Sequence, residues 1–246
     1  MSSLEGKKAY VTGASRGIGA AIARRLAAEG ADVAVGYERS AEQAEAVVRQ
    51  IRDGGRRAVA IQMDAADPAS IQRAVDSAAA ELGGLDILVN NAGIWRGGPI
   101  ESMTLEDVDT VLAVNVRAVV LASHAALAYL PEGGRIISTG SNLAMRVPEP
   151  GMSLYALSKS ALVGWTQGLA RDLGERGITV NVVHPGSTDT DMNPATGPQA
   201  EGQRQRMAIK RYGRAEDVAA LVAFLAGPEA GSINGTGLTV DGGANA

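Results

Sequence analysis

Thr12-Gly13-Ala14-Ser15-Arg16-Gly17-Ile18-Gly19 follows directly on an apolar run, Lys8 to Thr12, and opens a helical pattern from Gly17 to about Glu29. Glycines at 13, 17 and 19 allow a sharp turn, let the backbone approach a pyrophosphate closely, and leave helix N-terminal N–H groups facing an anion. In the helix, Ile18, Ile22 and Leu26 recur every four residues on one face, and Gly30 follows where a left-handed cap residue is favoured. The spacing departs from G-x-G-x-x-G, so the glycines alone are weak evidence. Their place between a strand and a helix makes them a dinucleotide-binding turn.

Working outward, short Val- and Ile-rich runs alternate with helical segments, the pattern of βαβ units around a parallel sheet. Seven strands are expected: Lys8 to Thr12, Asp32 to Tyr37, Arg57 to Asp64, Asp86 to Asn90, Arg135 to Ser138, Thr179 to His184 and Gly237 to Val240. Segments such as VAVGY, DILVN and TVNVV are nearly all apolar, as strands covered on both faces must be. Further helices are expected at Ala41 to Arg52, Ala69 to Leu82, Leu105 to Leu130, Leu154 to Arg176 and Ala215 to Leu225. The fold class is therefore α/β, a doubly wound seven-stranded parallel sheet in one domain over residues 1–246. Residues 187–214 break the rhythm with Gly, Pro, Thr and Gln. Lying just past a strand's carboxyl end, where open α/β sheets bind ligands, they are expected to form a substrate lid. Within them, QRQRMAIKR has the look of a solvated helix face.

Composition narrows the function. The 246 residues are 46% hydrophobic and 20% charged, with a formal charge of -4, so no basic footprint for nucleic acid is present. Zero cysteines exclude a thiolate metal site, and His124 and His184 are the only histidines, so no metal is expected. Met1 to Lys8 lacks the apolar core of a signal peptide, which implies a cytoplasmic protein. Val114 to Leu130 is apolar but interrupted by Asn115, Arg117, Ser123 and His124, so it is expected to be a buried helix and no membrane role follows.

At the end of the second strand an acidic residue would select NAD through the ribose hydroxyl, whereas arginine accepts a 2'-phosphate. Tyr37 occupies that place, followed by Glu38, Arg39 and Ser40. Arg16 and Arg39 together favour NADP(H) over NAD(H), against the contrary influence of Glu38.

Tyr155 and Lys159 lie four apart in YALSK, on one helix face. Alone this pair would be surface packing. Three polar, glycine-containing strand ends, Asn90-Asn91-Ala92-Gly93, Ser138-Thr139-Gly140-Ser141 and Pro185-Gly186, converge with it on the same sheet edge. With TGASRGIG, NNAG, Asn115, Ser141, YALSK, HPG, Thr190 and VDGG in order, the chain resembles the short-chain dehydrogenase/reductase family over its whole length. Within that family it is most similar to 3-oxoacyl-carrier-protein reductase-like enzymes. The resemblance implies a Rossmann-type domain, a homotetramer, and a catalytic set of Asn115, Ser141, Tyr155 and Lys159. It implies cofactor contacts from Gly13, Ser15, Arg16, Gly17, Ile18 and Gly19, from Tyr37, Arg39 and Ser40, and from Asp64 and Ala65 beside the adenine. Asn91, Ala92 and Gly93, Tyr155 and Lys159 at the nicotinamide ribose, and Pro185, Gly186, Thr188 and Thr190 complete the implied set. Asn115 would link Lys159 to a proton-conducting water. Ser141 stands fourteen residues before Tyr155, one more than the commoner family spacing, which would select Asn142. The GRIISTGS alignment selects Ser141.

The chemistry follows from the side chains. Reducing a ketone needs a hydride at carbon and a proton at oxygen. A Lys159 ammonium about 4 to 5 Å from the phenol would stabilise phenolate by roughly 4 kcal/mol, bringing Tyr155 from about 10 to near 7. The expected function is interconversion of a small-molecule carbonyl compound and its alcohol. A carrier-linked 3-oxoacyl reductase is an alternative, weakened by the acidic, base-free Leu130-Pro131-Glu132-Gly133-Gly134 turn. A non-catalytic dinucleotide-binding regulator is a third, since fold does not fix function. A serine hydrolase is excluded because Ser141 lacks G-x-S-x-G and a His partner. His184 is expected to be structural only. Trp95, Leu143, Met145, Met152, Thr188 and Met192 are candidates for an apolar wall.

Overall fold

The computed structural model describes residues 3–246. Seven parallel strands form one sheet in the order β3-β2-β1-β4-β5-β6-β7. They are β1 Lys8–Val11, β2 Asp32–Tyr37, β3 Ala58–Gln62, β4 Ile87–Asn90, β5 Arg135–Thr139, β6 Thr179–Pro185 and β7 Gly237–Val240. Each lies within two residues of its expected bounds, because continuous apolar runs in a buried parallel sheet leave little latitude.

Side chains alternate between two helical layers. Ala9, Val11, Val33, Val35, Ile87 and Val89 meet α1 (Gly17–Ala28), α2 (Ala41–Asp53) and α8 (Ala215–Ala226). On the opposite face Tyr10, Ala34, Leu88 and Ile136 meet α3 (Pro68–Leu82), α5 (Ala118–Ala126) and α6 (Ser153–Asp172). Gly30 takes φ 104°, the left-handed conformation expected where α1 gives way to β2.

Two helices differ from expectation. Leu105 to Leu130 is not one helix. It divides into α4 (Leu105–Leu112), a wide π turn (Ala113–Arg117) and α5, and ends at Ala126. The π turn lies where Asn115 turns inward to bond the backbone of Ile94, a demand that hydropathy cannot reveal. By length and composition Leu105–Ala126 would suffice to cross a membrane. Here Val119, Ala122, Ala125 and Ala126 are buried, and Ser123 accepts a bond from Asn90 of β4, so the stretch packs into the core as expected. The second difference is at α6, which stops at Asp172. A separate 3₁₀ turn, Gly174–Arg176, follows and closes on Gly177 at φ 63°.

The strand order reverses between β1 and β4, whose following chains leave toward opposite faces. That divergence opens a crevice at their carboxyl ends, the place where open α/β sheets bind ligands.

Candidate active site

Three strand ends are tied together at the crevice. The Thr12 hydroxyl accepts from the N–H groups of Asn91 (2.9 Å) and Ala92 (3.0 Å). The Asn91 amide donates back to the carbonyls of Thr12 (3.1 Å) and Gly13 (3.0 Å), and its oxygen accepts from Thr139 of β5 (3.3 Å). Asn91, assigned by resemblance to the cofactor, thus uses its side chain to join β1, β4 and β5. Thr12 was not singled out from the sequence, and only its neighbours across the crevice reveal its part.

The glycine turn fits a dinucleotide. Gly13 and Gly17 take φ 62° and 55°, and a Cβ on Gly13 would lie 2.8 Å from the Ala92 backbone. α1 starts without a side-chain cap, so its first N–H groups face the crevice free for an anion. Ser15, Arg16, Ile18 and Gly19 complete that turn. Arg16 and Arg39 do not form one phosphate clamp in this structure. Arg39 is 87% exposed and bonds Glu38 at 2.8 Å, whereas Arg16 pairs at 3.6 Å with Asp191. Tyr37 ends β2, and Ser40 precedes α2 without capping it. Asp64 closes a local turn onto Ala66 (2.8 Å) beside buried Ala65, leaving its exposed edge beside Ser70 and a cavity of about 580 Å³ lined also by Arg39 and Arg73.

At the other end, α6 brings Tyr155 and Lys159 over β5. Lys159 is 4% exposed, and its Nζ lies 5.7 Å from the Tyr155 ring centroid and donates to Thr139 O at 2.9 Å. The Ser141 hydroxyl accepts from Leu143 N–H at 3.2 Å, and its proximity to the Tyr155 phenol partly offsets the effect of burial on that group. Asn142 instead opens a 3₁₀ turn and offers its carbonyl to Asn245, so the geometry favours Ser141 over its neighbour. Asn115, fully buried, accepts from Ile94 N (2.9 Å) and donates to Ile94 O (3.0 Å) and Ser158 Oγ (3.1 Å). Ser158 in turn donates to Tyr155 O at 2.7 Å. Asn115 therefore holds the 91–94 strand end to α6 rather than offering its amide to Lys159. Gly93 is the close-approach point, since a Cβ there would sit 3.4 Å from both Asn115 Oδ1 and Lys159 Nζ. Pro185 and Gly186 end β6 against Asp241, and Thr188 bonds Gly186 O at 3.1 Å.

Residues 187–214 are ordered over the crevice. Thr190 packs on Gly17, Asn193 and Gln203 bond reciprocally, and Arg206 pairs with Glu149 across the mouth. The helix Ala200–Arg206 takes in only the first four residues of the basic stretch, Gln203 to Arg206, and Met207 is buried rather than solvated, because it packs near Gly242. Trp95 lies against Tyr155 with ring centroids 4.8 Å apart and remains 39% exposed, so it forms one wall beside the phenol.

A family profile described as Enoyl-(Acyl carrier protein) reductase matches residues 13–245. A short-chain dehydrogenase of Burkholderia cenocepacia J2315, crystallised with NADP, is 70% identical with a TM-score of 0.98, covering 99% of this chain and 100% of its own. The chain belongs to the short-chain dehydrogenase/reductase family. A blue fluorescent protein from a metagenomic library, solved with NADPH, is 54% identical with a TM-score of 0.98 over 99% of this chain and 100% of its own. The cyclic-di-GMP-binding biofilm dispersal mediator protein of Escherichia coli K12 is 45% identical over 98% of both chains.

The electrostatics of this dehydrogenase/reductase differ from the sequence expectation in one respect. Burial pushes the Tyr155 phenol up to about 12, against a smaller opposing effect of the nearby Ser141 hydroxyl. Burial also lowers Lys159 to about 8. Phenol ionisation near pH 7 is therefore not a property of the chain alone. Lys159 directs its bond to the Thr139 carbonyl rather than to the phenol, and desolvation dominates at Tyr155. With its pKa raised, Tyr155 is a protonated acid at neutral and mildly alkaline pH. In ultraviolet titration of the cofactor-free protein, Tyr155→Phe is expected to match the parent up to about pH 10 and to diverge only above it. An extra tyrosinate in the parent near pH 7 would contradict this.

Proposed function

We propose that this chain interconverts a small ketone and its secondary alcohol with NADP(H), using Tyr155 as general acid in reduction and general base in the reverse direction. The observation that carries the reading is the half-buried Tyr155 phenol at the crevice, flanked by buried Ser141 and Lys159. The glycine turn would hold the pyrophosphate, Asp64 and Ala65 the adenine end, and Thr188 and Thr190 the nicotinamide end. Two relatives solved with NADP or NADPH support the phosphorylated cofactor. When bound, that cofactor supplies the hydride. The Ser141 hydroxyl donates to the carbonyl oxygen and fixes it beside the phenol, which hands over its proton. The Lys159 ammonium stabilises the phenolate left behind, and Asn115 holds the 91–94 segment against α6. The 187–214 segment serves as lid, keeping water from the reacting atoms.

A carrier-linked 3-oxoacyl reductase stands behind this reading. The bases at the Leu130–Gly134 turn, Arg135 and Arg176, are committed to the carbonyls of Gly133, Gly134 and Leu130 and offer little to an acidic carrier. We place the enzyme in the cytoplasm as a homotetramer, supported by exposed Leu105 of α4 and Leu157 of α6, at 76% and 56%.

In a cofactor-oxidation screen across ketones, aldehydes and acyl thioesters, kcat/KM is expected to be higher with NADPH than with NADH. Tyr155→Phe should lower kcat by about 10²- to 10⁴-fold, and Ser141→Ala by orders of magnitude at similar NADPH affinity. Undiminished turnover in Tyr155→Phe refutes the mechanism. Sedimentation should give a tetramer, and a monomeric mass removes the assembly. The Escherichia coli relative's name favours a second reading, a nucleotide-binding regulator. Calorimetric binding of cyclic-di-GMP, with no turnover in the screen, would establish that reading in place of the first.

A further inference from the structure

His184, the penultimate residue of β6, is 1% exposed and has no part in the chemistry above. Its Nδ1 lies 2.9 Å from the main-chain oxygen of Ser141 and 3.3 Å from the Ser141 nitrogen. One ring nitrogen cannot donate to the first and accept from the second at once. Nε2 is buried and has no hydrogen-bond partner among the described residues. A proton on Nε2 would bury an unsatisfied donor, so the proton belongs on Nδ1, along the shorter contact. Burial and the nearby Lys159 charge outweigh the Ser141 backbone bond in holding the imidazole below its ordinary pKa, so it is neutral at pH 7.

The ring sits in a slot that only glycine can border. A Cβ on Gly140 would stand 2.5 Å from Nδ1, and one on Gly237 would stand 2.6 Å from Nε2. Neither glycine has a positive φ, so backbone conformation does not call for glycine at either position. The imidazole does. Across the same strand end, Lys159 holds the Thr139 carbonyl at 2.9 Å. Residues 139–141 are thus gripped by Lys159 and His184 together, and Ser141 leaves that grip extended, at φ −164° and ψ 149°, with its hydroxyl accepting from Leu143 N–H on the side of the Tyr155 phenol.

We propose that His184 is a positioning residue, its Nδ1–H donating to the Ser141 carbonyl and thereby setting where the Ser141 hydroxyl meets the substrate oxygen. The kinetic arm rests on the ketone-reductase reading, whereas the tautomer of His184 does not.

Asparagine can place an amide N–H where Nδ1 stands, and glutamine places it nearer Nε2. His184→Asn is expected to keep kcat close to the parent. His184→Gln and His184→Leu should lower kcat by roughly 10- to 100-fold, the cost of misplacing a reacting group by about an ångström, with NADPH affinity unchanged. In a Ser141→Ala background His184→Gln should cause no further loss. Equal activity of the Asn and Gln variants, or an additive loss without the Ser141 hydroxyl, overturns the proposal. Nitrogen NMR of the parent, needed if the variants do not fold, should show the Nδ1–H tautomer, and an Nε2–H tautomer overturns it as well. A parent inactive on every carbonyl but showing Nδ1–H would sink the functional reading and leave the positioning contact standing.

Discussion

The reversal of strand order between β1 and β4 is the constraint on which the site depends. At that point the chains leaving neighbouring strands diverge, and the sheet would expose unpaired backbone in a crevice. Thr12 and Asn91 satisfy that backbone with side-chain bonds from β1 to β4, and Asn91 reaches on to β5 through Thr139. The glycine turn, the NNAG end and the Ser141 end are therefore one connected edge. A dinucleotide laid along the crevice would reach from the first helix N-terminus to the phenol on α6.

Beside this edge the structure holds a buried amine and a half-buried phenol, both costly to ionise there. Burial raises the Tyr155 pKa and lowers that of Lys159 only to about 8, so at pH 7 an ammonium stands beside a protonated phenol. That state suits proton donation to a carbonyl. The positions are fixed by hydrogen bonds to backbone: Lys159 to Thr139, Asn115 to Ile94, Ser158 to Tyr155 and His184 to Ser141. Main-chain partners make rigid references, since strands cannot shift without breaking the ladder.

The lid reads differently once packed. As sequence, residues 187–214 look like a polar insertion. In the fold, Thr190 meets Gly17, Asp191 meets Arg16, and Arg206 meets Glu149, so the segment lies against the glycine turn and the 149 loop. Exposed ion pairs contribute little stability individually, so the buried Ala200, Met207 and Tyr212 hold the segment more than these pairs do.

The sequence by itself determined the α/β class, all seven strands and the crevice edge, because hydrophobic runs of strand length between helical periods admit few other packings. It also placed Tyr155 and Lys159 on one face, since four residues make about one helical turn. Only the tertiary structure decided the π turn at Asn115, the engagement of Asn91 with strand ends, the separate ion pairs of Arg16 and Arg39, and the protonation state of Tyr155. Each depends on a partner tens of residues away or on how completely water is excluded, and neither quantity is written in local spacing. His184 shows the same limit: in HPG it is a lone histidine without a recognisable partner, and the neighbouring strands bring Ser141 and two glycines around it.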